Sequence, residues 1–172
     1  MSIHSAKIVG VIRRLTPADA PLLRELRMMA ISDAPDAFGS TLQETAERSL
    51  QIWEYILRPE GNPFFIHEHH ETINGLIGGI APDEGSAAQL VSMWVSPHQR
   101  GNRVSDELVE QIVSWAVVTG AHQIKLSCTE GNVHAEHLYA RHGFARTGAT
   151  EVRERDSAVE FEMCLNLNVL GQ

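Results

Sequence analysis

Between Val95 and Leu108 the chain reads VSPHQRGNRVSDEL: two arginines, a glycine and an asparagine separate an apolar run from an amphipathic one. A helix start presents unpaired backbone N–H groups and the positive end of the helix dipole. Arginines there set positive charge against positive charge, a cost that an anion on the turn would offset. The chemistry this suggests is phosphate binding. Backbone N–H groups at a strand-to-helix turn cradle the anion, and Arg100 and Arg103 can add charge-assisted bonds to a di- or triphosphate. Gly101 lets the backbone come close. The spacing matches neither G-x-x-x-x-G-K-[ST] nor G-x-G-x-x-G, which excludes a P-loop and a dinucleotide fingerprint. Taken alone, the same residues also suit a solvated loop.

A second constellation lies in EGNVHAEHLYARHGFARTG, Glu130 to Gly148. Asn132 suits the cap of a short helix carrying Ala135, Leu138 and Tyr139, and Gly143 suits its stop. Histidine clusters raise the question of a metal. His67 to Glu71, HEHHE, is not H-E-x-x-H and falls at a hairpin turn, while His134, His137 and His142 gain no cysteine or carboxylate to complete a tight set. No metal site is expected.

The elements that must position these residues follow from periodicity. Ile8 to Arg13 reads as a first strand, and Thr16, Pro17 and Asp19 open a helix with Leu22, Leu23, Leu26 and Met29 on its apolar face. Thr41 and Glu44 form a second helix start, with Leu50, Trp53 and Leu57 on one stripe. Phe64 to His69 and Ile73 to Ile80 read as a hairpin, and AAQLVSMWV as a further strand ending at Ser96-Pro97. The next helix carries Val104, Leu108, Ile112 and Trp115 and stops at Gly120. Ile124 to Thr129, Phe144 to Ala149 and Val159 to Leu167 supply the last strands. The order is β-α-α-β-β-β-α-β-α-β-β, a mixed α/β (α+β) class with a largely antiparallel sheet at its start.

The 172 residues, with no repeat or low-complexity linker, suit one domain, 1–172, with a real core. A net charge of −8, from 22 acidic residues against 14 Lys and Arg, comes with no clustered basic face and argues against nucleic acid as a partner. An acidic surface is compatible with an amine substrate, and equally with simple solubility. Cys128 and Cys164 lie in apolar or alternating runs, as reduced thiols of a cytoplasmic protein would. Neither a cleavable leader nor a membrane span is read in the chain.

Strand, basic turn, amphipathic helix, strand and then N-x-x-A-x-x-L-Y-x-R-x-G-F together resemble the GNAT superfamily of N-acetyltransferases. The match is close from Leu90 to Gly148 and looser over LRELRMMAISDAPDAFGSTLQE upstream. The resemblance implies a single GNAT-like domain whose twisted, mostly antiparallel sheet is flanked by helices and splayed between its fourth and fifth strands. It further implies acetyl-coenzyme A (acetyl-CoA) as co-substrate and acetyl transfer to a primary amine, on a small molecule or a protein. It leaves a homodimer open. Cofactor contacts are implied at Trp94, Val95, Arg100, Gly101, Asn102, Arg103, Val104, Ser105, Asn132 and Ala135.

The family's pyrophosphate signature, Gln/Arg-x-x-Gly-x-Gly/Ala, falls here on Arg100 to Ser105. Arg103 then stands where glycine is usual, and Ser105 where glycine or alanine is usual. Arg103 either points away and supplies only its N–H, or reaches back to a phosphate oxygen. The amine must attack unprotonated, and the developing oxyanion needs a donor, which the N–H of Val95 or its neighbour could be. Tyr139 matches the tyrosine that protonates the leaving thiolate in many members. Some relatives place a glutamate on the strand before the turn, where this chain offers only Ser92; Glu44, Glu84 and Glu130 are the candidate bases. The alternative of a different class is a non-catalytic acyl-CoA-binding domain of the same fold.

Overall fold

Strand alternation and helix capping divide the chain much as its sequence predicts. The computed structural model describes residues 10–82 and 87–167. Its strands are β1 (Val11–Arg14), β2 (Phe64–His69), β3 (Thr72–Ile80), β4 (Ala88–Val95), β5 (Gln123–Thr129), β6 (Ala145–Val152) and β7 (Val159–Asn166). The helices are α1 (Ala20–Asp33), α2 (Leu42–Glu47), α3 (Leu50–Ile56), α4 (Val104–Val118) and α5 (Val133–Arg141). One sheet runs in the order β1-β2-β3-β4-β5-β7-β6. Every pairing is antiparallel except that of β4 with β5, which α4 connects.

Two apolar layers cover the sheet. On one face α1 and α3 contribute Leu23, Leu26, Ala30 and Trp53 against Phe64, Ile66, Leu76 and Trp94. On the other, α4 and α5 contribute Leu108, Ile112, Leu138 and Tyr139 against Phe65, Ile77, Leu90 and Val95. Close approach of α4 depends on Gly75, where an added Cβ would lie 2.8 Å from Leu108 Cδ1 and 2.9 Å from the Trp94 carbonyl oxygen.

Four expectations need correction. Met29 is 48% exposed; the buried stripe of α1 is Leu23, Leu26, Arg27, Ala30 and Ile31, which puts a charged residue where the pattern suggested a methionine. The predicted second helix breaks into α2 and α3, because Arg48 adopts extended backbone and Ser49 starts afresh, leaving Leu50 43% exposed. The first strand is described only from Val11, and residues 8 and 9 lie outside the described part. β6 runs on to Val152, past a register shift between Arg146 and Thr150 where Gly148 takes φ +92°. The Thr41–Glu44 capping box forms as read: Glu44 N–H donates to Thr41 Oγ1 (3.1 Å) and Thr41 N–H to Glu44 Oε2 (2.7 Å).

The feature that shapes the site is a bulge in β4. Gly78 pairs with Val91 and Leu76 with Trp94, so β4 holds one more residue than β3 over this stretch. Ser92, at φ +58°, marks the kink. An extra residue reverses the alternation of everything after it. Ala88 and Leu90 face the α4 layer, yet Trp94 faces the α1 layer and Val95 returns to α4. Beyond the bulge β4 also loses its other neighbour, for β4 and β5 pair only at Ala88 with Ile124 and Gln89 with Lys125.

Candidate active site

The turn before α4 is built from left-handed backbone. Gly101 lies at φ +85° and Arg103 at φ +64°, the latter as the residue capping the helix. A non-glycine residue pays for that conformation, which is why glycine is the easier choice at both positions. An added Cβ at Gly101 would meet nothing within 4 Å, so the constraint there is conformational rather than steric crowding. The first helical bond is Glu107 N–H to the Arg103 carbonyl (3.0 Å), which leaves the N–H groups of Val104, Ser105 and Asp106 ahead of the ladder. The Arg103 side chain runs along the helix toward Glu110, 3.8 Å away, and is 60% exposed. The Arg103 side chain thus points away from the turn.

Arg100 behaves differently from a free anion ligand. Its Nε donates to the Val95 carbonyl (3.2 Å) and its Nη2 to the Asp33 carboxylate at the end of α1, which also accepts from Trp94 Nε1 (3.0 Å). Ser96 N–H faces β3, bonding Asn74 O at 2.8 Å. Alternation therefore turns the Val95 N–H and C=O to the opposite side, the edge that β5 does not fill.

Three cavities adjoin one another across that gap. The first, about 740 Å³, is lined by Trp94, Val95, Arg100, Gly101, Ser105, Asn132 and Ala135, together with Phe38, Met93, His134 and Arg141. Seven of the ten sequence-predicted cofactor positions meet there. The side chains of Asn102 and Arg103 do not line it, and that of Val104 is buried in the core. The second, about 120 Å³, shares Met93, Asn132, Ala135 and Leu138 with the first and adds Ser92, Ser127, Cys128 and Tyr139. The third, about 460 Å³, shares Ser92 and Ser127 with the second and reaches Arg27, Lys125, Glu160 and Glu162. Phe38 walls all three. Its loop is pinned by Arg153, which donates to Asp36 O (3.0 Å) and Phe38 O (3.3 Å), and by Arg155, which donates to Phe38 O (3.1 Å).

Tyr139 is placed by α5. Asn132 Oδ1 accepts from Ala135 N–H (3.2 Å) as the cap, and Gly143 at φ +90° ends the helix. The tyrosine is 6% exposed, its ring edge-on to Phe144 with centroids 5.8 Å apart. Its hydroxyl has no hydrogen-bond partner among the described residues, although the residue lines the middle cavity. Burial and then the Cys128 thiol push its pKa above the usual phenol value. Burial likewise pushes the Cys128 thiol up to about 11. Both groups hold their protons at neutral pH.

The candidate bases fare otherwise. Glu44 is spent in its capping box, where the Thr41 N–H and hydroxyl hold its pKa below the usual value. Glu130 is bonded twice to Arg146, at 3.0 and 3.1 Å. Neither lines any of the three cavities, and Glu84 lies outside the described residues. The carboxylates at the site are Glu160 and Glu162, which sequence reasoning missed. Their only signal was an i, i+2 pair in VEFEMCLN, on one face of a strand whose neighbour could not be known. Arg141 and His134 were also missed as wall residues of the large cavity; Arg141 is held by Asp106 at 2.6 and 3.0 Å. Among the described residues no group of three or more His, Cys, Asp or Glu is placed to hold a metal ion, and no helix is long and apolar enough to cross a membrane.

Residues 25–144 match the acetyltransferase (GNAT) family. Over 100 residues the chain is 25% identical to an N-acetylaspartate synthetase of Danio rerio, a match covering 58% of this chain and 36% of that protein. The chain thus spans little more than a third of that relative. Among solved structures, one from Salmonella typhimurium determined with its cofactor acetyl-CoA superposes with a TM-score of 0.76 at 18% identity, covering 95% of this chain and 97% of the other. A spermidine N-acetyltransferase from Vibrio cholerae, in complex with CoA and spermine, gives 0.73 at 16% identity, covering 91% and 95%. At these identities the two structures establish a shared fold.

Proposed function

The chain belongs to the acetyltransferase (GNAT) family, and from that premise we propose that it transfers the acetyl group of acetyl-CoA to a primary amine by direct attack on the thioester, acting as one N-acetyltransferase domain. The observation that carries this reading is the run of three adjoining cavities, from the N–H-rich turn, past Tyr139, to a face bearing carboxylates. One end suits a phosphorylated donor, the other a cationic acceptor, and the chemistry has room between them.

The residues divide the work by what each can offer. The N–H groups of Arg103, Val104 and Ser105 receive the pyrophosphate, with the side chain of Asn102 outside the cavity. Arg100 is committed to Asp33 and to the Val95 carbonyl, so it holds the strand edge in place, and the Val95 N–H is the donor left for the acyl oxygen. Tyr139 keeps a proton on Oη for the departing thiolate, as its raised pKa favours. Glu160 and Glu162 line the third cavity, each beside a cation of its own, Arg153 and Lys125, and can accept the proton of an ammonium through water. Two free cysteines, Cys128 and Cys164, fit a reducing, cytoplasmic setting. No observation among the described residues favours the non-catalytic alternative.

The test is to titrate the protein with acetyl-CoA in a calorimeter, and then to follow release of the CoA thiol with a panel of primary amines. Saturable binding with amine-dependent thiol release is the expected result. Binding without release for any amine would return the chain to a non-catalytic acyl-CoA-binding role.

A further inference from the structure

The third cavity is walled by Arg27 from α1, Ser92 at the β4 bulge, Lys125 and Ser127 from β5, and Glu160 and Glu162 from β7. Most of its charges are already answered. Lys125 Nζ lies 3.3 Å from Glu162, and Arg153 Nη1 lies 2.9 Å from Glu160. Arg27 is the exception. It is only 8% exposed, projects from the sheet-facing side of α1, and donates one hydrogen bond, from Nη1 to Ser92 Oγ at 3.0 Å. Its guanidinium carbon lies 5.2 Å from the centre of the Phe38 ring. Among the described residues no carboxylate pairs with it. Burial, and then the Arg48 cation, lower its pKa to about 10, so it stays charged at neutral pH.

A buried cation without a counter-charge is unfavourable, and a hydroxyl and an aromatic face offset only part of that cost. The remaining N–H groups form a planar fork suited to two oxygens of one carboxylate. We propose that Arg27 anchors a carboxylate of the acceptor, so that the amine acetylated here belongs to a molecule of the amino-acid class. Such an acceptor is a zwitterion. Its carboxylate lies against Arg27 and Ser92, and its ammonium faces Glu160 and Glu162 before losing a proton to attack. The sequence marks the position too, since Arg27 interrupts an otherwise apolar stripe, four residues after Leu23 and three before Ala30.

This inference rests on the acetyl-transfer reading, and its experiment separates the two. Thiol release is measured for a series of α-amino acids and for the carboxamide of each, with the intact protein and with Arg27→Met and Arg27→Lys. The expected kcat/KM for each preferred acid exceeds that for its amide by about 10- to 100-fold, the loss typical of one charge-assisted bond. Arg27→Met should close that gap through KM, and Arg27→Lys, which keeps charge but not the fork, should close it in part. The melting temperature of Arg27→Met should not fall, because an unpaired buried cation has been removed; a purely structural role for Arg27 predicts a fall. Equal rates for acids and amides, or a gap that survives in Arg27→Met, would overturn the proposal while leaving acetyl transfer intact. If no amine is acetylated, calorimetric titration with the amino acids and their amides still reads the anchor: binding of acids alone, lost in Arg27→Met, supports it, and absence of any such difference refutes it.

Discussion

The general-acid role proposed for Tyr139 makes two physical demands that pull against each other. A general acid must keep its proton until the leaving group needs it, and it must also reach that group. Burial holds the phenol protonated, while its hydroxyl has no partner among the described residues and lines the cavity that joins donor and acceptor sides. Tyr139→Phe should therefore leave acetyl-CoA affinity unchanged and lower turnover by about 100- to 10,000-fold. Stopped-flow thiol release and calorimetry on one preparation check this; full turnover with a lowered melting point would make Tyr139 a packing residue. Because its pKa lies above the usual ~10, the rate of the intact protein should show no falling limb up to pH 10. Tyr139 and its neighbours were legible because cap, small residue, Leu-Tyr and Gly-Phe share one helix, where spacing and geometry are the same thing. Glu160, Glu162 and Arg27 were not, since their meeting depends on which strand and helix lie beside them.

Among the elements, β4 carries most of the consequences. Its bulge at Ser92 decides which layer each later residue enters, Trp94 at α1 and Val95 at α4, and lies where β4 parts from β5. Deleting Ser92 would let Met93 take the place opposite Ile77 and restore a plain ladder, with Trp94 and Val95 on the faces they already occupy. What the deletion removes is the kink beyond which β4 leaves β5. The deletion variant should therefore fold but bind acetyl-CoA more weakly by calorimetry; unchanged affinity would mean that the kink does not shape the open edge. The run QLVSMWV gives no local sign of this, since positive φ at a serine is a response to packing from both sides. The break between α2 and α3 is hidden for a like reason. Leu50, Trp53 and Leu57 fit one helical period, but Arg48 leaves helical backbone, and Trp53 and Leu57 are buried in the layer that α1 shares. By contrast α5 begins at the Asn132 cap, and α4 and α5 stop at Gly120 and Gly143, signals that the local sequence supplies.

For the molecule as a whole, the same charges that organise the site set its tolerance of pH. Arg141, then His142, hold the Asp106 carboxylate below its ordinary pKa, and Arg153, with the Ala158 N–H and Arg155, does so for Asp156 beside the Phe38 loop. A depressed folded-state pKa gives stability that is complete above the unfolded value of about 4 and is lost as pH falls from there through the lower folded value. Tyr139 and Cys128, shifted upward by burial, act in the reverse sense: their contribution is complete below the unfolded values, about 8.5 for the thiol and 10 for the phenol, and is lost as pH rises from there through the raised folded values, about 11 for the thiol. Melting temperature should thus be highest between roughly pH 5 and 8, and Asp106→Asn should flatten the acid side; an unchanged acid slope would show that Asp106 is not among the groups responsible. The proposed reaction needs one passage in which donor and acceptor enter from opposite sides and meet beside Tyr139. Ser127 walls both the middle and the acceptor-side cavities but not the donor-side one. The most direct test is to measure acetyl-CoA affinity and acetyl transfer together for Ser127→Trp, which fills the passage. Unchanged affinity is expected, with transfer lowered at least about 100-fold, the cost of displacing one reactant. Undiminished transfer, or affinity lost in step with transfer, would contradict that proposal.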